Sequence, residues 1–329
     1  MGKINNFTRR AAIGIDIGGT NLKLGLVDTG GRVLFRESFP THAASGREKL
    51  LETIVKHIQS LTRMAKDRGF QTAGVGVGAP GPIDVARGLV YSFPNIPGWK
   101  NTPLKKILER RLKTPVVVNN DASAMAYGEF RFGAGRGCKN LVALTLGTGI
   151  GGGLVIDGKL FHGSAFSAAE IGHIIVNENG PLCACGNHGC VETYVGNGYF
   201  IREVERRLKA GRVKSFLTRE LRKGKALTPL AVAQAAKRGD AFSKTMWREA
   251  GEHLGTMLAG LANLLNPEKI ILGGGISQNG DLLFKPVIAA LTKKAFPIAA
   301  ASVRVVPAEL GLDAGLIGAA ALVLFKTDS

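Results

Sequence analysis

Short apolar runs alternate with longer amphipathic segments along the chain. The segments "REKLLETIVKHIQSLTRMAKDRG" and "FSKTMWREAGEHLGTMLAGLANLLN" repeat apolar residues at the three-to-four-residue spacing of helices. The runs "AGVGVGAP", "TPVVVNN" and "KIILGGG" are short and rich in β-favouring residues, as strands are. Because strands and helices alternate, the pattern predicts an α/β fold.

An internal repeat organises this pattern. Residues 13–28, "IGIDIGGTNLKLGLVD", align with residues 142–157, "VALTLGTGIGGGLVID". Each copy consists of an apolar run, a glycine-containing turn and a second apolar run, which predicts a β-hairpin leading into a third strand. Strand patterning, not a helix, follows the glycines, so a dinucleotide-binding loop or a P-loop is disfavoured. Such hairpins can present backbone N–H groups to phosphate oxygens, although two ordinary hairpins would give the same pattern.

The length of the chain indicates two domains. A single hydrophobic core stops growing at roughly 250 to 300 residues, and the chain has 329. Two packed domains imply a cleft between them. We predict a small N-terminal α/β domain over residues 1–121, completed by a C-terminal helix over 314–329, and a larger domain over 122–313. The helix after "NTP" is predicted to begin with Thr102 as its N-cap.

Composition and the two ends of the chain bear on its compartment. The chain is 45% hydrophobic and 21% charged, with 45 glycines, which is typical of a soluble globular protein with many tight turns. The apolar stretch "AGLIGAAALVLF" is too short to span a membrane and is predicted to be a buried helix. The N-terminal "MGKINNFTRRAA" lacks the apolar core of a signal peptide. We therefore expect a cytoplasmic protein with no membrane partner.

The net charge of +18 raises the question of a nucleic-acid partner. Half of this excess lies between Arg202 and Glu249, in a segment with helical apolar spacing. No aromatic residues alternate with its basic residues, as a platform for stacked bases would require. We interpret the segment as a solvated helical surface without nucleic acid, although its field would also attract an anionic substrate.

Six motifs, in this order, resemble those of a known family. They are "DIGGT", "GAPGPID", "NND", "LGTGIGGG", "EIGH" and "CACGNHGCVE", and together they resemble the ROK family of bacterial sugar kinases and repressors, within the hexokinase, actin and Hsp70 superfamily. The resemblance covers nearly the whole chain. It implies two ribonuclease-H-like α/β domains, with ATP and a sugar bound in the cleft between them.

The resemblance also implies the nucleotide-binding residues. Asp16 would help to hold Mg²⁺, and both glycine hairpins would surround the ATP phosphates, whose charge needs many donors and a metal. The residues placed at the phosphates are Gly18, Gly19, Thr20, Lys23, Gly147, Thr148, Gly149, Gly151 and Gly152. Gly273, Gly274 and Gly275 would lie against the adenosine, or simply form a turn after a strand.

Asp121 is implied to be the catalytic base, because a carboxylate within hydrogen-bond reach can orient a sugar hydroxyl and accept its proton. Without the other motifs, "NND" would more often be an ordinary turn. The residues implied to contact the sugar, besides Asp121, are Gly81, Asn95, Asn120, Glu170, His173 and Glu192. Carboxylates suit a polyol because charged acceptors form strong hydrogen bonds with O–H donors.

The resemblance assigns the cysteine-rich stretch to a metal. His173, Cys183, Cys185 and Cys190 would supply one nitrogen and three sulfurs to a tetrahedral structural Zn²⁺. A disulfide is the competing interpretation, but Cys-x-Cys spacing is awkward for a bridge and the expected compartment is reducing. Cys138 is interpreted as a plain thiol. Zinc on one ring nitrogen of His173 would leave the other nitrogen for the sugar.

The function implied is an enzyme, an ATP-dependent hexose 6-kinase. Glucose is the first candidate substrate because of the loop "PNIPGW", followed by N-acetylglucosamine or N-acetylmannosamine. A sugar-sensing regulator without its DNA-binding domain is the alternative of another class. The few residues before the first predicted strand, and the presence of Asp121, favour the enzyme. The resemblance implies a homodimer or homotetramer.

Overall fold

A computed structural model describes residues 9–19, 21–41, 46–93 and 98–325. Thirteen strands are described: β1 (Arg9–Ile17), β2 (Asn21–Asp28), β3 (Val33–Pro40), β4 (Phe70–Ala79), β5 (Ile83–Asp84), β6 (Leu89–Ser92), β7 (Lys100–Thr102), β8 (Val116–Asn120), β9 (Leu141–Leu146), β10 (Ile150–Ile156), β11 (Lys159–Leu160), β12 (Lys269–Gly273) and β13 (Arg304–Pro307). The α-helices in the same part of the chain are α1 (Gly46–Asp67), α2 (Leu104–Leu112), α3 (Asp121–Phe132), α4 (Glu192–Val195), α5 (Asn197–Lys209), α6 (Leu217–Arg222), α7 (Pro229–Lys237), α8 (Ala241–Leu265), α9 (Asp281–Lys294), α10 (Pro297–Ser302) and α11 (Ala314–Leu324). Within those ranges, none of these helices combines the length and apolar character needed to cross a membrane.

The first sheet has the strand order β3-β2-β1-β4-β8. β1, β2 and β3 are antiparallel neighbours, whereas β1, β4 and β8 run parallel. Both long amphipathic segments are helices as predicted, α1 and α8, and α1 packs its apolar side against this sheet. The hairpin and third strand predicted from the first copy of the repeat are therefore confirmed.

The second sheet repeats this arrangement, with the order β11-β10-β9-β12-β13. β9 and β10 form the second glycine hairpin, β11 pairs with β10 antiparallel, and β12 and β13 are parallel. In each sheet, three consecutive strands lie side by side at one edge, and two strands from later in the chain complete the other edge. The sequence repeat thus corresponds to a repeated sheet topology.

Helix α11 packs unusually close to the first sheet, because small residues line its path. A methyl group on Gly14 of β1 or Gly76 of β4 would overlap the backbone of α11, and one on Gly318 would overlap the backbone of α3. The predicted buried helix near the C-terminus is confirmed, since Leu316 and Leu322 are fully buried. Residues 326–329, the end of the predicted helix, lie outside the described residues.

The chain divides into two compact units. Unit 1 comprises Met1–Ala143, Gly153–Ala169 and Ala308–Ser329, and unit 2 comprises Leu144–Gly152 and Glu170–Pro307. Unit 1 therefore extends past residue 121, the predicted boundary, and includes α3, because α3 packs on α11. The predicted N-cap is wrong: Thr102 ends β7, its buried hydroxyl has no hydrogen-bond partner in the described part of the chain, and Pro103 occupies the cap position without a side-chain bond.

Ion pairs cover much of the basic segment between Arg202 and Glu249. Arg206 and Arg207 both bond to Glu203, and Lys225 pairs with Glu220. Exposed pairs of this kind contribute little to stability, with a median near 0–1 kcal/mol. Their arrangement fits the predicted solvated helical surface.

Charge reversal on this surface should leave catalysis nearly unchanged. We expect the triple variant Lys209→Glu, Arg222→Glu, Lys223→Glu to keep kcat/KM for the sugar within about twofold, because exposed charges are screened over about 8 Å at physiological salt. Steady-state kinetics at two salt concentrations would test this. A large loss that depends on salt would instead assign the segment a role in substrate capture.

Candidate functional site

The predicted metal ligands converge in unit 2. The ligand atoms of His173, Cys183, Cys185 and Cys190 all lie within 4.8 Å of one another. His173 Nδ1 lies 3.7 Å from Cys183 Sγ, and Cys185 Sγ lies 3.6 Å from Cys190 Sγ. A tetrahedral site with zinc–sulfur bonds of about 2.3 Å has edges of about 3.7 Å, so the donors fit a structural Zn²⁺. All four cysteines of the chain are free, and the observed sulfur separation is far beyond a disulfide bond of about 2.05 Å.

Local backbone bonds shape the metal loop, which we define as residues 173–190. The Cys183 N–H donates to the Asn187 carbonyl over 2.8 Å, and Gly186 turns the chain with a φ of 94°. Burial, reinforced by a hydrogen bond with Cys185, raises the pKa of the Cys190 thiol to about 12. Since thiolates are the form that binds zinc, metal binding at these cysteines would release protons.

His173 is the first residue of the metal loop, and two glutamates flank the loop. His173 ends the 3₁₀ helix Ile171–His173, and its Nδ1 faces the cysteines, which leaves Nε2 for another partner. Glu170 immediately precedes this helix and is exposed. Glu192 begins α4 two residues after the last metal ligand, Cys190, and its Oε2 accepts the N–H of Ile150 over 2.7 Å. Unit 2 thus places these three predicted sugar residues beside the metal ligands.

The second glycine hairpin connects to the same region. The Gly147 N–H donates to the Gly149 carbonyl over 3.0 Å, which closes the turn before Ile150. The Gly147 carbonyl accepts the N–H of Asn197 at the start of α5. Gly274, with a φ of 83°, has no room for a side chain because its Cα packs on the backbone of Leu146. The packing against Leu146 therefore explains why position 274 is a glycine. The predicted adenosine contacts of Gly273, Gly274 and Gly275 stay predictions.

The first glycine hairpin lies in unit 1. The Gly18 N–H donates to the Asn21 carbonyl, and the buried Thr41 hydroxyl donates to the Gly18 carbonyl over 2.7 Å. Lys23 donates from Nζ to the Leu312 carbonyl over 2.6 Å, so its ammonium is held by the C-terminal segment. Thr20 lies outside the described residues.

Asp16 is enclosed at the end of β1. A methyl group on Gly315, in the first turn of α11, would come within 2.9 Å of the Asp16 carboxylate. Burial raises the pKa of Asp16 above its ordinary value of 3.8, and the charge of Lys23 opposes this rise. A half-buried carboxylate whose charge is only partly compensated is well suited to a cation.

The raised pKa of Asp16 predicts a trade-off between stability and activity. Below pH 3.8 the carboxyl is protonated in both folded and unfolded chains, whereas above its raised folded pKa the buried charge lowers stability. Asp16→Asn should therefore raise Tm at pH 7, leave it unchanged near pH 3, and reduce kcat/KM. Thermal unfolding at both pH values, with the exposed turn variant Asp157→Asn as control, would test this. A lower Tm at pH 7 would contradict the prediction.

Asp121 is the first residue of α3, directly after the end of β8. Its Oδ1 accepts the N–H of Ala122 over 2.8 Å. Asn120 caps the helix, with its side-chain oxygen accepting from Ala122 and Ser123, and its amide group donates to the Gly81 carbonyl. Asn120 is therefore a helix cap and not part of an ordinary turn, and its predicted sugar contact stays a prediction. Asn95 lies outside the described residues.

Several residues that hold these groups were not predicted. Thr41, Leu312 and Gly315 contact the first hairpin or Asp16, and Ile150 contacts Glu192. Thr41, Leu312 and Gly315 lie outside the quoted motifs, and Ile150 lies inside "LGTGIGGG" but acts through its backbone N–H, which the motif does not reveal.

A cavity of about 560 Å³ adjoins the metal loop in unit 2. Tyr199 lines it and accepts the N–H of Ala184, between two metal ligands, over 2.8 Å. Tyr194 stacks on His253 with ring centroids 3.7 Å apart, and its buried hydroxyl has no partner among the described residues. None of the predicted site residues lines this cavity.

Comparison with known proteins gives the class of this chain. The model of the ROK family matches residues 12–326. The chain belongs to the ROK family. The predicted fold of two ribonuclease-H-like α/β domains is confirmed.

Individual relatives match nearly the whole of this chain. The glucokinase of Halalkalibacterium halodurans is 38% identical over 96% of this chain and 96% of the relative. A crystal structure of a ROK family glucokinase from Streptomyces griseus in complex with glucose and AMPPNP has a TM-score of 0.78 and 37% identity, covering 95% of this chain and 98% of that one. The xylose repressor of Caldicellulosiruptor bescii is 31% identical, and the match covers 95% of this chain and 77% of the repressor.

Proposed function

We propose that the chain is an ATP-dependent glucokinase, which transfers the γ-phosphoryl group of ATP to the 6-hydroxyl of glucose. The observation that carries the proposal is the position of the Asp121 carboxylate, at the first residue of α3 and directly after a parallel strand. The similarity to glucokinases over nearly the whole chain supports glucose as the substrate.

Asp121 would act as the base. As the sugar O6 attacks phosphorus, the new O6–P bond forms, the bond to the ADP oxygen breaks, and the O6 proton passes to the Asp121 carboxylate. Ordinary carboxylate basicity is sufficient, because in a loose phosphoryl-transfer transition state the proton can leave late. The cap at Asn120 and its bond to Gly81 fix the end of β8, and thereby the position of the base.

The sugar would be held by Glu170, His173 and Glu192. Each glutamate offers an anionic acceptor to a hydroxyl group, and His173 offers Nε2, because its Nδ1 faces the metal ligands. Zinc bound by His173 and the three cysteines would have a structural role, since four protein ligands leave no open coordination position.

The nucleotide would be held by the two glycine hairpins, with Asp16 supporting Mg²⁺. When bound, Mg²⁺ would neutralise part of the phosphate charge. The exposed Gly19 and the open space around Gly147 leave backbone accessible to phosphate oxygens. Lys23 would reach a phosphate only after leaving the Leu312 carbonyl. Its main role would therefore be to hold the hairpin in position beside Asp16.

A second candidate is a sugar-sensing regulator, which the similarity to the xylose repressor favours. Such a protein needs sugar contacts but no base. Phosphorylation of N-acetylglucosamine or N-acetylmannosamine is the alternative kinase activity. For the assembly, we propose a homodimer or homotetramer that binds no nucleic acid.

A coupled ADP-release assay over a panel of hexoses and N-acetylhexosamines tests the proposal. We expect glucose to give the highest kcat/KM, with ATP as donor and Mg²⁺ present. Turnover that is highest with an N-acetylhexosamine would change the substrate. Sugar binding by calorimetry without turnover of any sugar would favour the regulator.

A further inference from the structure

Glu192 lies at the junction of two structural elements of unit 2. It is the second residue after Cys190, and its Oε2 accepts the backbone N–H of Ile150 over 2.7 Å. Ile150 is the first residue of β10, immediately after the Gly147–Gly149 turn of the second glycine hairpin. A charge-assisted bond to a backbone N–H is stronger than a neutral one, so this bond holds the end of the turn.

The surroundings of the Glu192 carboxylate leave little freedom. Gly149 and Gly172 both face Glu192 Oε2, and Gly196 faces its Cγ. A methyl group on Gly149 would overlap Oε2, whereas one on Gly147 would meet no atom within 4 Å. Any shift of this carboxylate must therefore change either its bond to Ile150 or its packing against the hairpin.

We infer that Glu192 is a positioning residue that couples sugar binding to the ATP-binding hairpin. The inference rests on the proposed function, in which Glu192 also accepts a sugar hydroxyl. One carboxylate oxygen holds Ile150, and a sugar on the other oxygen would fix the carboxylate and with it the turn. A bound sugar thus prepares the hairpin for the phosphates, and without sugar the hairpin binds nucleotide less well.

Such coupling is reciprocal. If glucose tightens nucleotide binding by a given factor, nucleotide tightens glucose binding by the same factor. The ratio of the AMPPNP Kd without glucose to that with saturating glucose measures this factor directly. A residue that merely stabilises the fold would change both Kd values alike and leave their ratio unchanged.

Calorimetry on the full chain with Mg²⁺ and AMPPNP provides the test. We expect a ratio of about 5 or more in the wild type, in the usual range for coupled sites. Gly149→Ala should reduce the ratio to within about twofold of one, because its methyl group displaces the carboxylate from Ile150. The displaced atoms end a flexible side chain, so the variant should fold with its zinc content unchanged and at most a modest loss of Tm. Gly147→Ala, in the same turn but clear of Glu192, should keep the ratio whatever its own AMPPNP affinity.

Glu192→Asp supplies a second variant that adds no atoms. Its shorter side chain cannot hold both partners, so its ratio should also fall towards one, which tests the inference even if Gly149→Ala fails to fold. A wild-type ratio of one, a ratio retained in both Gly149→Ala and Glu192→Asp, or an equal loss in Gly147→Ala would each overturn the inference alone. A wild type that binds no glucose would overturn the proposed function, and the coupling with it.

Discussion

Asp121→Asn should lower kcat by a factor of about 10² to 10⁴, the usual contribution of a positioned acid–base group. The amide has the size of the carboxylate and can still accept the Ala122 N–H, so α3 should form as before. It cannot accept the proton of the sugar hydroxyl. Rapid-quench or coupled assays would measure kcat, and calorimetry would show whether glucose binding persists.

The control is Asp157→Asn, which makes the same chemical change at an exposed turn residue. Asp157 has a φ of 50°, a conformation that asparagine adopts readily. We expect full activity from this variant. If Asp121→Asn retained near-normal turnover with intact glucose binding, Asp121 would not be the base and the regulator would gain support.

Cys185→Ala should release the metal and weaken sugar binding selectively. Cys185 is an exposed ligand of the cluster, and with three remaining donors the loop between His173 and Cys190 loses its fixed geometry. His173 and Glu192 flank this loop. We expect the glucose KM to rise about tenfold or more, as the loss of one or two hydrogen bonds of about 1.5 kcal/mol would give. The AMPPNP Kd measured without sugar should change by less than about twofold, because each hairpin turn is closed by its own backbone bond.

Metal analysis and calorimetry of both ligands would check this outcome. Cys138→Ala is the matched control, since Cys138 is buried outside the cluster and its loss should release no metal. Equal weakening of glucose and AMPPNP would indicate general unfolding. Unchanged glucose binding in a zinc-free variant would mean that His173 and Glu192 do not depend on the metal.

Local sequence patterns were sufficient for much of the architecture. The repeated hairpins and the helices α1 and α8 follow from periodicity or glycine position, and the family resemblance implied the convergence of His173 with three cysteines. These features depend on residues close together in the chain, or on ligand chemistry with few alternatives. Local patterns wrongly predicted Thr102 as a helix cap, because the pairing of β7 with β6 determines where that residue lies.

By itself, the sequence determined the family, the α/β class, the duplicated hairpin topology and the chemistry of the candidate residues. Only the tertiary structure decided what holds those residues in place. Gly315 encloses Asp16, Leu312 holds Lys23 and Ile150 holds Glu192. These contacts join residues as far apart in the chain as Asp16 and Gly315, and several use backbone atoms that every residue type shares. A backbone contact between distant segments leaves no mark on residue identity, so folding must bring the segments together before it can be recognised.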